Sequence, residues 1–304
     1  MNQILNTHLL FIALRVMTPI LFTAIGGLFA SKAGVFNVAL EGCMLLASFV
    51  GVAISYSTGN LILAVFTGIL SSVILALIVV FFIIELNANL VIAGLAANIL
   101  VSGLTAFMMH TIYGEAVTID PINLAVLPII DNPVLANIPI IGQILNNQVI
   151  SVYFALLLIP VVIFIFNYTK FGFHIRVVGE NLEAARAAGL KWKRIQYLSW
   201  VISGILCGLG GVSLSIGYVG LFYRDITAGR GWIAMAALSL GRGQPLGTFL
   251  SVLLFALADA IATQLQVTIN IPNQFVLMVP YVITIIALVA STRKKTIKKE
   301  IQEQ

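Results

Sequence analysis

The chain has 304 residues, of which 60% are hydrophobic and only 9% charged, with a mean hydropathy of +1.08; a soluble domain carries roughly 25% charged residues. That excludes an ordinary soluble domain and makes the chain an integral membrane protein. The net charge of +5 is not spread as a nucleic-acid-binding surface would spread it: 11 of the 16 Lys and Arg residues lie in Lys170 to Arg194 and Arg293 to Lys299, so no nucleic-acid partner is expected.

Apolar runs at about 9–30, 35–54, 61–85, 90–113, 149–168, 196–218, 229–240, 246–264 and 274–291 give nine candidate segments. Runs such as 61–84, 151–166 and 275–290 are apolar on every side, without the alternation of a closed barrel, and are long enough, or nearly so, to supply the roughly 20 residues that a spanning helix needs. The first run has no basic stretch ahead of it, so it reads as a retained span and not a cleaved signal. The 31–42 region is interrupted by Ser31, Lys32, Gly34, Asn37 and Glu41. The 229–240 run is too short to span unaided and is bounded by Gly229, Gly231, Gly241 and Gly243. Short, glycine-broken segments at matching places in two halves point to a site built from discontinuous helices. The fold class expected is an all-α polytopic membrane protein of about 8 to 10 transmembrane helices, with broken or re-entrant segments and two inverted halves of about 150 residues. It forms one membrane domain over 1–292, followed by a basic tail over 293–304.

Sidedness follows from charge. Gly114 to Gln148 carries Glu115, Asp120 and Asp131 and no Lys or Arg. The positive-inside rule therefore places the 114–148 loop outside, and the 169–195 loop and the carboxyl terminus in the cytoplasm. Nine crossings put the amino terminus outside; a re-entrant or doubled segment moves it inside.

Within the 169–195 loop, Asn181 is suited to cap a short helix, Glu183 sits in its first turn, and Gly189 can stop it. Leu182, Ala185 and Ala188 form a narrow apolar stripe, so the element reads either as a docking helix or as a basic loop held near anionic lipid.

Ionisable groups inside apolar spans cost about 2.5 to 3.5 kcal/mol on insertion scales, so Arg15, Glu41, Glu85 and Asp259 each need a reason. Glu85 falls at a cytoplasmic helix end. Glu41 is a candidate for the substrate pathway, against structural pairing with Arg15 or Lys32; Asp259 is another, against pairing within the bundle. Asn37 and Asn98 could hydrogen-bond a hydroxyl-rich solute or act as interhelical glue. Trp232 and Phe222 could stack on a base or sit in an interfacial belt. Arg224, Asp225 and Arg230 cluster against the positive-inside trend and suggest a salt-bridged outer mouth. Gly204 and Gly208, with Gly211 and Ser215, read as a close-packing helix face. Cys43 and Cys207 read as buried hydrophobes, and no metal site is expected.

Several blocks together resemble one family. The 183–189 string (EAARAAG) is similar to the cytoplasmic coupling motif of ABC importer permeases. The 26–42 block (GGLFASKAGVFNVALEG), the 94–98 block (GLAAN) with 103–105 (GLT), and the 229–238 block (GRGWIAMAAL) followed by 241–247 and 258–260 resemble the branched-chain amino acid and simple-sugar group, closest to its nucleoside-importing subgroup. Ala39 stands where that pattern has glycine, and Ser239 where a bulkier residue is common. The resemblance covers roughly 20–290. It implies a non-catalytic permease subunit in a prokaryotic cell membrane, importing a nucleoside or simple sugar. It also implies a cytoplasmic ABC ATPase, a second related permease and an extracytoplasmic substrate-binding lipoprotein as partners. Coupling to the ATPase would fall on Asn181, Glu183, Ala184, Ala185 and Gly189. The chain lacks a phosphate-loop motif, so it binds no cofactor of its own and ATP is used by the partner. An ion-coupled secondary transporter is the alternative. A membrane enzyme is disfavoured, because His8, His110 and His174 are scattered and no nucleophile is aligned with a base.

Overall fold

A computed structural model describes residues 2–114, 118–119, 124–131 and 141–268. The expected span at 274–291, the tail at 293–304 and part of the 114–148 loop lie outside the described residues.

Four helices open the chain: α1 (Asn2–Lys32), α2 (Leu40–Thr58), α3 (Leu61–Ile84) and α4 (Leu90–Tyr113). The short strands β1 (Thr118–Ile119), β2 (Ile129–Ile130) and β3 (Gln148–Val149) and the one-turn α5 (Ile141–Leu145) follow. Next come α6 (Ile150–Tyr168), α7 (Lys170–Glu180), α8 (Leu182–Ala187) and α9 (Trp192–Val212), which runs on as wider π-type helix over Ser213–Val219. Strand β4 (Phe222–Tyr223), α10 (Arg230–Leu240) and α11 (Pro245–Thr268) complete the described chain. Among the described residues, seven helices are long and apolar enough to cross a membrane: Thr7–Lys32, Leu40–Thr58, Leu61–Ile84, Leu90–Tyr113, Ile150–Tyr168, Trp192–Val219 and Pro245–Gln264.

Polar residues set the boundaries. Asn60 Oδ1 accepts the backbone N–H groups of Ile62 and Leu63 at 3.0 and 3.2 Å, and Asn89 Oδ1 does the same for Val91 and Ile92 at 2.9 and 3.2 Å. Each thereby satisfies two donors that would otherwise be orphaned at the start of α3 and α4.

Helices α1 and α9 form the centre, packed against each other, with α2 and α3 against α9 and α10 and α11 against α1. Small residues make this possible. A Cβ placed on Gly208 would lie 2.8 Å from Ile69 Cα of α3, and one on Gly211 would lie 2.2 Å from the Met44 carbonyl of α2. Those faces meet backbone to backbone, and serine hydroxyls lock them: Ser72 donates to the Gly204 carbonyl at 2.8 Å and Ser48 to the Gly211 carbonyl at 2.9 Å. The glycine face is thus a packing face, as the sequence pattern predicts. Gly211→Val is expected to lower thermal stability by about 1 to 3 kcal/mol through overpacking; an unfolding midpoint in detergent equal to wild type would refute this.

Most of the described basic residues gather at one end. Lys193 Nζ lies 2.6 Å from Glu85 Oε2, tying the start of α9 to the end of α3. At the opposite end, β1 pairs antiparallel with β4 and β2 with β3, so the connecting segments are stitched together there, with Arg15 bonded to Gln148 of β3.

Candidate functional site

Two interrupted regions meet in the interior. Residues 33–39 separate α1 from α2, and α10 is only 11 residues long, about 16 Å at 1.5 Å per residue and roughly half of a hydrocarbon core. Non-helical backbone at this depth must have its polar groups satisfied by protein. One face of α9 does so: Gln196 Nε2 donates to the Ala33 carbonyl at 3.2 Å, Trp200 Nε1 to the Val35 carbonyl at 2.9 Å, and Ser203 Oγ accepts from Asn37 Nδ2 at 3.0 Å. Residues 196, 200 and 203 recur at helical spacing, so they project from a single face. None of the three was singled out from sequence. The signal was present, since three hydrogen-bonding side chains at i, i+4 and i+7 in an apolar run point at something polar.

The sequence candidates Asn37, Glu41 and Asn98 belong to the same region. Asn37 is fully buried, and its Oδ1 accepts the Ala39 N–H at 2.9 Å. Asn98, from the middle of α4, accepts the Gly42 N–H at 2.8 Å through Oδ1 and donates to the Val38 carbonyl at 3.0 Å through Nδ2. Glu41 pairs with neither Arg15 nor Lys32. Its Oε1 accepts the Gly229 N–H at 2.9 Å and its Oε2 the Gly231 N–H at 2.6 Å, so a side chain of α2 caps the amino end of α10. The positive end of the helix dipole and the free N–H groups there favour an anion. Glycine at 231 is required by this approach, because an added Cβ would lie 2.6 Å from the backbone N and Cα of Glu41. Arg15 is occupied elsewhere, donating to Gln148 Oε1 at 3.1 Å and to the Asn147 carbonyl at 2.8 Å.

The remaining candidates separate. Arg230 faces Asp259 across 3.8 Å in a half-buried pair that joins α10 to α11. Arg224 and Asp225 form an exposed pair at 3.6 Å, with Asp225 also accepting from the Ser102 hydroxyl at 2.8 Å. The expected cluster of three at the outer mouth is therefore two pairs, because Asp259 on the neighbouring helix competes for Arg230. Phe222 is fully buried, edge-on to Phe49 at 5.2 Å, so it is core and not a stacking platform. Trp232 is 37% exposed. Among the described residues there is no group of His, Cys, Asp and Glu suited to a metal.

At the basic end, Asn181 Oδ1 accepts the Ala184 N–H at 3.0 Å and opens α8, and Gly189 closes it with φ +73°. Ala185 is buried, whereas Glu183, Ala184, Arg186, Ala187, Ala188 and Gly189 are exposed. The stripe expected from Leu182, Ala185 and Ala188 is thus split: Leu182 and Ala185 seat the helix on its own chain, and the outward face is Glu183, Ala184, Ala187 and Ala188. The Arg186 guanidinium lies over the Trp192 ring at 4.5 Å and bonds Glu183 at 3.1 Å, fixing the helix against α9. Behind α8, α7 rests directly on the last turn of α1, where a Cβ on Gly179 would fall 2.0 Å from the Lys32 carbonyl.

The model of the family "Branched-chain amino acid transport system / permease component" matches residues 9–288. The chain belongs to this family. The nucleoside ABC transporter permease protein NupC of Lactococcus lactis subsp. cremoris is 30% identical over 94% of this chain and 93% of its own length. The guanosine ABC transporter permease protein NupQ of Bacillus subtilis is 32% identical over 89% of this chain and 87% of its own. A solved ABC transporter in an inward-facing conformation shares the fold, with a TM-score of 0.55 at 14% identity over 93% of this chain and 85% of its own. This permease is therefore a non-catalytic, multi-pass subunit of an ABC transporter in a prokaryotic plasma membrane. ATP hydrolysis lies on a separate subunit. The ion-coupled alternative has no counterpart among these relatives.

Proposed function

We propose that this permease forms the translocation pathway of an importer for a nucleoside or closely related hydroxyl-rich solute. Near-full-length identity to permeases named for nucleoside and guanosine transport carries the reading. The basic end faces the cytoplasm by the positive-inside rule. There the exposed face of α8, with Glu183, Ala184 and Gly189, docks on the ABC ATPase, held in shape by Asn181 and Ala185 from within. A second related permease completes the pathway. A substrate-binding lipoprotein delivers the solute to the opposite end, where the exposed Arg224 and Asp225 pair offers a contact and Arg230 stays tied to Asp259. The chain binds no cofactor, and ATP acts through the partner.

Two inverted halves are part of this reading, and the packing supports it. Each begins with a long central helix, α1 or α9, followed by a break and a second helix, α2 or α10, and then α3 or α11. Helix α9 lies on α3 as α1 lies on α11, and α2 lies on α9 as α10 lies on α1. On this reading Asn37, Glu41 and Asn98 frame the pathway by holding the interrupted helices in place, and Trp232 is the aromatic of the set that remains open to stack on a base, worth roughly 1 to 3 kcal/mol in nucleic-acid binders.

The test is uptake by the reconstituted complex. Labelled nucleosides are expected to enter liposomes only with ATP, and unlabelled nucleosides to compete at least tenfold better than ribose or leucine. Uptake confined to branched-chain amino acids, or driven by an ion gradient without ATP, would overturn the assignment.

A further inference from the structure

The basic end also holds a cavity that the transport reading leaves unused. It measures about 360 Å³ and lies between the last turn of α1, α7 and the turn after α10; small-ligand sites run from roughly 300 to 1,000 Å³. Lys32, Arg176 and Arg242 line it from those three elements, with the hydroxyls of Ser31 and Ser239 beside them and Glu180 as the one acidic group in the lining.

Among the described residues none of these three cations forms an ion pair, and the Nε of Arg176 is buried with no hydrogen-bond partner. Two of them have an ordinary explanation. Lys32 ends α1 and Arg242 follows α10, and helix carboxyl ends favour cations. Arg176 lies in the middle of α7 and has no such reason. A buried guanidinium N–H with nothing to donate to costs about 1 to 3 kcal/mol, and gathering like charges around one cavity adds repulsion. Arg242 is itself held at φ +56°, in the left-handed region that favours glycine, and its turn folds over Lys32, whose Nζ lies 4.0 Å from where a Gly243 Cβ would be. Strain of this kind persists where the surroundings fix it and is concentrated at ligand clamps.

One occupant offsets the unpaired donor and the like-charge repulsion together. Three cations and one carboxylate leave two net positive charges, matched by a phosphate ester at about −1.5 to −2. Guanidinium and ammonium groups are the side chains that bind phosphate oxygens most strongly. We propose that this cavity binds a phosphate group, carried either on the headgroup of an anionic phospholipid or on a soluble phosphorylated metabolite. The site is independent of which solute crosses the membrane.

The experiment uses the complete transporter in nanodiscs, with two arms. In the lipid arm, discs of phosphatidylcholine doped with phosphatidylglycerol are analysed by native mass spectrometry for retained phosphatidylglycerol. In the soluble arm, pure phosphatidylcholine discs are titrated with adenosine monophosphate and with inorganic phosphate. In both arms, protection of Lys32 from an amine-reactive label reads occupancy in the unmutated protein. Retention of phosphatidylglycerol with Lys32 protected assigns the lipid, and saturable protection by adenosine monophosphate assigns the metabolite. Lys32→Gln, Arg176→Gln and Arg242→Gln are each expected to weaken whichever ligand binds by about tenfold, one charge-assisted bond's worth, with Arg176→Lys recovering part of the loss. The proposal fails if neither ligand protects Lys32, or if the variants bind as wild type does. It also fails if the variants lose the ATPase subunit while anion binding is unchanged, since the cations would then be holding a carboxylate surface of that partner.

Discussion

Replacing Glu41 with alanine is expected to abolish uptake while leaving a protein that still enters the membrane. The carboxylate accepts two backbone N–H groups at the amino end of α10, and hydrogen bonds to a charged acceptor contribute about 1.5 to 3 kcal/mol each. Alanine removes both and leaves the Gly229 and Gly231 donors without a partner in a region where water is scarce. The loss should reach roughly 3 kcal/mol or more and should appear as a lowered unfolding midpoint in detergent. Helix α10 would lose its fixed distance from α2, and with it the shape of the interior where the two breaks meet. Glu41→Gln keeps one acceptor oxygen and should retain an intermediate share of both stability and uptake. The graded series alanine, glutamine, glutamate separates a capping role from a bulk-charge effect: a charge effect alone would make the two substitutions equal, and wild-type transport by the alanine variant would end the capping account.

The second large effect is expected at α8. Glu183→Lys reverses the charge on the outward face and removes the 3.1 Å bond to Arg186, while Gly189→Val forces a β-branched residue into a left-handed conformation at φ +73°, a cost of roughly 1 to 2 kcal/mol. A Cβ at 189 would meet nothing within 4 Å, so the damage there is to the backbone that ends the helix and not to packing. Both variants should assemble in the membrane in normal amounts. Uptake should fall at least tenfold, whereas the ATPase subunit should keep hydrolysing without responding to delivered solute. Paired measurements of ATP turnover and uptake in proteoliposomes decide the matter, and variants that remain coupled would place the contact elsewhere.

Much of this architecture was readable from residue order. Long apolar runs gave α3 and α4 nearly to the residue, at 61–84 and 90–113, because a bilayer sets a minimum length and one hydrogen-bonding solution for each; α2 is displaced, at 40–58 where 35–54 was expected, because the polar break after α1 runs further than the apolar pattern shows. Asn181 and Gly189 likewise marked the ends of α8, since capping chemistry is local. What stayed hidden was long-range. Glu41 read either as a pathway residue or as a charge paired with Lys32 or Arg15, and nothing in its neighbourhood named Gly229, 188 residues away, as its partner. The stripe on α8 was legible as apolar, but whether it faced a foreign groove or its own bundle depended on Trp192 and on the seat that buries Ala185. Phe222 read as a base-stacking or interfacial aromatic, because its burial rests on Phe49 of a distant helix. Gln196, Trp200 and Ser203 went unnoticed for the same reason: the carbonyls they satisfy belong to 33–39, on the far side of the sequence.

The seat of α7 on α1 has a mechanical consequence. At Gly179 main chain touches main chain, with no side chain between to bend or change rotamer and so absorb movement. Any tilt of α7 must either drag the foot of α1 with it or open a gap between the two rods. Since α1 is one of the two axles of the bundle, a shove delivered at the rim reaches the middle without slack.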